Sequence, residues 1–177
     1  MQMRLSIATA ALLFMAMGLG CASQPYLANY RYVPSPALVE VFEKGAQPPR
    51  PAASATALIV GVRRGGINNA PPAVEIRMRF ENTGHGHLTF DSESLRLVAG
   101  TLQTFSRPEI HGPHPLQLAP GESQTISAFF PLTSQFGPNL MGVDTLRLTW
   151  QIQIDGQPVP QTAYFDRASP TYSDPDN

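Results

Sequence analysis

Apolar and charged residues alternate most cleanly between Val74 and Glu81, where Val74, Ile76, Met78 and Phe80 are interleaved with Glu75, Arg77, Arg79 and Glu81. Side chains of a strand point to opposite faces with period two, so this pattern predicts one face on a core and one in water. Asn82-Thr83-Gly84 follows, residue types that tolerate positive φ, and Leu88 and Phe90 then resume the alternation. The expectation is a hairpin at the centre of a β domain. Inward positions change from even numbers (Leu88, Phe90) to odd ones (Leu95, Leu97) across Asp91-Ser92-Glu93-Ser94. Such a change of phase predicts a bulge or a break at those four residues.

Further strand signals come at short intervals. Residues 56–63 are rich in β-formers and open the domain, and Arg64 to Pro72 is a long polar connection. Residues 102–105 read as a short strand, Leu116-Gln117-Leu118 leads into a turn, and 125–131 places Ile126, Ala128 and Phe130 on one face and Phe129 on the other. Residues 133–142 read as a loop. Thr145–Ile154 reads as the longest strand and puts Trp150 inward, with a return strand over 161–166. Ala119-Pro120-Gly121-Glu122-Ser123 and Asp155-Gly156 carry turn chemistry. No stretch holds a helical period. About seven short strands predict an all-β fold, an antiparallel β-sandwich of immunoglobulin-like type spanning 56–166.

Composition agrees. The chain has 177 residues, 42% of them hydrophobic and 14% charged, with 18 prolines and 14 glycines. A net charge of −1 without a basic cluster argues against a nucleic-acid partner. Cys21 is the single cysteine, so no disulfide forms within one chain and packing alone must hold the sheets together.

The neighbourhood of Cys21 gives that thiol a use. Arg4 is followed by an apolar run from Leu5 to Met17 and then by Gly18-Leu19-Gly20-Cys21. The order is that of a signal peptide, with a run too short for a membrane span. Leu19-Gly20-Cys21 resembles the bacterial lipobox, although Gly18 stands where that family usually has Ser, Ala or Thr. The resemblance implies cleavage after residue 20 and acylation of Cys21, with palmitate among the chains, and two or three such chains anchor a protein firmly. Ala22 is not the aspartate that keeps such lipoproteins at the inner membrane, which implies the outer membrane, facing the periplasm. Residues 21–55, with prolines 25, 34, 36, 48, 49 and 51, read as a semi-rigid tether. Within it, Tyr26, Tyr30 and Tyr32 suit either the headgroup level or packing on the domain, and 37–44 suits a short strand or a helical turn, best as an edge strand or a segment draped over the sandwich. Residues 167–177 read as a disordered tail.

Phe80-Glu-Asn-Thr-Gly84, the run T-F-D-S-E-S-L-R-L over 89–97 and L-x-P-G-E-S over 118–123 resemble the small immunoglobulin-like domains of bacterial surface lipoproteins. The resemblance implies a binding or structural module and an envelope protein as partner. It implies no enzymatic activity and no cofactor.

Chemistry-bearing residues are few. His85, His87, His111 and His114 form two close pairs beside glycines, in loops expected to be mobile and to lie at one end of the sandwich. Four imidazoles brought together suit Cu(II) or Zn(II), so the second reading is a periplasmic metal-binding protein. Ser123, Ser127 and Ser134 lie in no nucleophile elbow. Asp91 and Glu93 read as turn residues. Arg63-Arg64 and Arg77 with Arg79 read as the wet face of strands, available as a binding surface.

Overall fold

A computed structural model describes residues 26–28, 31–65, 71–100, 103–136, 140 and 142–168. Its strands are β1 Tyr26–Ala28, β2 Tyr32–Ser35, β3 Val39–Phe42, β4 Pro51–Arg63, β5 Ala73–Glu81, β6 Leu88–Phe90 and β7 Arg96–Ala99. After them come β8 Gln103–Thr104, β9 Glu109–His111, β10 Leu116–Leu118, β11 Ser123–Pro131, β12 Thr145–Ile154 and β13 Gln157–Arg167. The helical content among the described residues is two short 3-10 turns, Ser92–Ser94 and Ser134–Phe136.

The strands pair antiparallel in two sheets, a β-sandwich. One sheet runs β4-β5-β11-β9, with β1 and β3 both on the outer edge of β4. The other runs β10-β6-β12-β13-β2, with β7 also on β12 and carrying β8. The order β4-β5-β11-β9 against β7-β12-β13 is the four-on-three order of an immunoglobulin-type sandwich.

Several expectations are corrected. The 82–87 link does not close a hairpin: β5 pairs with β4 and β11, whereas β6 pairs with β12 and β10. The link crosses from sheet to sheet, and the alternation on either side of it survives because both strands face the same core. The stretch read as a tether enters the sandwich from Tyr26 onward, as β1, β2, β3 and the start of β4. Tyr32 is buried and its hydroxyl donates to the carbonyl of Val143 at 2.8 Å. Residues 1–25, including Cys21, lie outside the described residues, as does the tail after Ala168. β4 has 13 residues and exceeds β12, which has 10.

The phase change after Phe90 is a break. β6 and β7 lie along the same edge of β12, separated by the 3-10 turn. Asp91 caps that turn by accepting from the Glu93 N–H at 2.9 Å. Opposite the break, the Gln151 N–H finds no strand and donates instead to the Ser94 hydroxyl at 3.0 Å. The β12–β13 turn is a two-residue loop with both residues at positive φ, Asp155 at 49° and Gly156 at 77°, as a type I′ hairpin requires.

Large side chains from both sheets fill the core. Met78, Phe80, Phe130, Phe90, Trp150 and Phe165 are all buried. Phe105 stacks on Phe136 with centroids 4.0 Å apart and meets the edge of Phe130 at 6.2 Å. Hydrophobic burial of this kind is the main favourable term holding sheet to sheet.

Candidate functional site

The crossover between β5 and β6 is rigidly tied. Asn82 is 2% exposed, and its side-chain amide donates to the carbonyls of Gly86 at 2.7 Å and Leu118 at 3.0 Å. The Gly84 N–H donates to the Ala52 carbonyl at 2.8 Å, and a Cβ at position 84 would stand 2.9 Å from that oxygen. A Cβ at position 86 would collide with the Asp155 carboxylate, whose Oδ1 accepts from the His87 N–H at 2.9 Å. The glycines beside the histidines therefore answer close approach, and the mobility expected of this loop is corrected.

His85 and His87 are exposed on that platform. His85 lines a cleft of about 640 Å³ with Phe42, Lys44, Ile154, Asp155 and Val159. Phe42, 48% exposed, is its open apolar wall.

The other histidine pair does not join the first. His111 lies on β9 opposite Ser127. That register sets it four residues, ~13 Å, along β11 from Ser123 and the Glu81 end where the crossover begins. Its Nε2 is 2.9 Å from a Glu109 carboxylate oxygen, and its ring lies 4.5 Å from that of Phe129. His114 Nδ1 is 3.3 Å from the Gly112 carbonyl. Among the described residues no three His, Cys, Asp or Glu side chains converge closely enough to hold a metal. The expectation of four imidazoles at one site is corrected: register and the Phe129 contact hold His111 on the outer face of the β4-β5-β11-β9 sheet.

The serines and carboxylates are likewise dispersed. The Ser123 hydroxyl accepts from Arg79 at 3.1 Å. Ser127 bonds Glu75 at 3.4 Å, and Ser134 opens a 3-10 turn. Glu93 pairs with Arg107.

Arg63, Arg64, Arg77 and Arg79 are all exposed, as the alternation predicts, whereas Glu75 among them is not. Glu75 is 6% exposed, opposite Phe129 in the ladder, and its Oε1 accepts from Arg77 at 3.2 Å. The guanidinium of Arg63 sits 5.0 Å over the Phe129 ring. Phe129 therefore packs against Arg63 and His111, which cover it on an outward-facing position, as alternation alone does not reveal.

A second cavity, of about 350 Å³, lies where the β2 edge of one sheet meets the β4 edge of the other. Tyr32, Val33 and Pro34 line one side and Leu58, Ile59 and Val60 the other. The sequence pattern does not reveal this cavity, because Tyr32 and Val33 fall in a proline-punctuated stretch that reads as a tether and their partners on β4 are set by topology. No protein-family profile and no curated protein matches the chain.

Proposed function

We propose that this chain is a non-enzymatic interaction or structural module of the bacterial cell envelope, anchored by acyl chains on Cys21 and facing the periplasm from the outer membrane. The observation that carries the reading is Leu19-Gly20-Cys21 at the end of an apolar leader, with the only thiol of the chain in the lipidation position. Two features of the fold support it. The first described strand starts at Tyr26, so four residues, or five Cα-to-Cα steps, separate the anchor position from the sandwich. Fully extended, they reach ~17 Å, which keeps the domain at the membrane surface. The exposed large apolar side chains, Val33, Leu38, Phe42, Leu58 and Tyr164, give the domain surface for a protein partner.

The test is metabolic labelling with an alkyne analogue of palmitate, read against Cys21→Ser. Label on the wild type that disappears in the variant, together with loss of membrane fractionation, is the expected result. Label retained on the variant overturns the reading.

A further inference from the structure

The chain from Cys21 arrives at one end of the sandwich. β1 starts at Tyr26, which opposes Arg63, the last residue of β4, and Arg63 opposes Ala73 at the start of β5. Ala73 in turn opposes Pro131 at the end of β11. The 82–87 crossover leaves from the other end of this sheet, and the Asp155-Gly156 turn lies beside it through the bond from His87 to Asp155. The start of β12 at Thr145 and the end of β13 at Arg167 therefore lie at the same end as Arg63 and β1. β12 has 10 residues, so ~30 Å separates this end from the Asp155 turn.

Charge is divided between the two ends. At or beyond the last ladder pairs of the β1 end stand four arginines, Arg31, Arg63, Arg64 and Arg167, against two aspartates, Asp144 and Asp166. At or beyond those of the other end, Glu43, Glu81, Glu122 and Asp155 stand against Lys44 and Arg50. The connections outside the described residues, 66–70, 101–102, 137–139 and 141, contain no charged residue and leave this balance as it is. The chain after Ala168 carries Asp174 and Asp176, which oppose the arginines. Arg63 lies over Phe129, and Arg167 has Asp144 at 3.9 Å. Arg31 and Arg64 are exposed and have no ion pair among the described residues.

The length of the linking chain decides what this end meets. Four residues between Cys21 and Tyr26 reach ~17 Å, so an anchored domain keeps its β1 end near the headgroups. The Debye length is about 8 Å at physiological salt. A charged lipid surface is therefore felt at the β1 end and screened at the Asp155 end. Tethering already supplies a high local concentration of lipid, so the charges have only to select the pose.

We propose that the end of the sandwich carrying Arg31, Arg63, Arg64 and Arg167 docks on an anionic phospholipid surface. Basic side chains next to a lipid anchor are attracted by such a surface, and the acidic far end is repelled from it. The cleft lined by Phe42, His85 and Asp155 belongs to that far end and opens away from the membrane. The proposal rests on the reading of Cys21 as the anchor and adds the side of the domain that faces the lipid.

The test supplies the anchor chemically, so its outcome is separate from that of the palmitate labelling. The Cys21 thiol of the chain from residue 21 to 177 is coupled to a maleimide-headgroup lipid in nanodiscs that also hold lipids with a gadolinium chelate. Paramagnetic broadening of backbone amides then reports closeness to the headgroups. In discs rich in phosphatidylglycerol, Arg31, Arg64, Asp144 and Arg167 should broaden about tenfold more than Gly84, His85 and Gly156. That contrast should fall at least threefold in phosphatidylcholine discs, and likewise at about 1 M salt, where the Debye length is about 3 Å. Arg31→Gln with Arg64→Gln should reproduce the fall in phosphatidylglycerol discs with the melting temperature unchanged. Asp174→Asn with Asp176→Asn should raise the contrast, and a fall would overturn the proposal by making the tail the contact. Equal contrast in both kinds of disc overturns it, because the charges then select nothing. Broadening centred on Val33, Leu38 and Leu58 also overturns it, since the sandwich then lies on its apolar edge.

Discussion

The rings of Phe80 and Phe90 stack with centroids 4.6 Å apart and planes 27° from parallel, one ring from each sheet. The two residues are joined through the tied 82–87 crossover, so their contact both closes the core and sets where the chain changes sheet.

Truncating either ring should therefore be severe. Phe80→Ala and Phe90→Ala should each destabilise by ~3–5 kcal/mol, because both are fully buried and the surroundings collapse only partly into the space left. The double variant should cost less than the sum, with a coupling of ~0.5–1.5 kcal/mol from the lost stack. Urea denaturation of the four proteins reads the cycle, and strict additivity would show that the rings act independently.

The crossover itself makes a second prediction. Gly86→Ala should destabilise by ~1–3 kcal/mol, because the new Cβ displaces the Asp155 carboxylate and unpairs the His87 N–H. Asp155→Gly keeps the positive φ that the hairpin needs and removes the carboxylate. In that background the further change Gly86→Ala should become nearly neutral. Thermal denaturation of the four variants checks it, and an undiminished cost in the Asp155→Gly background would place the clash elsewhere.

These two cases mark how far the sequence is legible. Period-two alternation located the strands and the inward side of each, from Val74 to Phe80 and from Leu146 to Ile154, because burial on one face imposes it directly. The break after Phe90 was visible as a change of phase. Alternation carries no information on which strand lies beside which, so the 82–87 link had the appearance of a hairpin turn. The prolines over residues 24–55 suggested a tether, yet edge strands accept proline where its missing N–H faces away from the ladder. The scattering of His85, His87, His111 and His114 depends on the register of β9 against β11, which no local pattern encodes.

Trp150 makes the last prediction. It lies in the middle of β12, 2% exposed, opposite Gln161 in the β13 ladder, and its indole Nε1 is buried without a hydrogen-bond partner among the described residues. An orphaned buried donor is a penalty of ~1–3 kcal/mol that the apolar part of the ring must offset. Trp150→Ala removes both and leaves a large void, so it should destabilise by ~3–5 kcal/mol. Trp150→Phe removes the donor and keeps a six-membered ring in the core. The lost packing and the relieved donor then work in opposite directions, and the net change should be under ~1.5 kcal/mol. Urea denaturation followed by far-ultraviolet circular dichroism, which needs no tryptophan, gives both values. A Phe variant as unstable as the Ala variant would mean that the indole N–H contributes to the fold and has found an acceptor, such as a buried water.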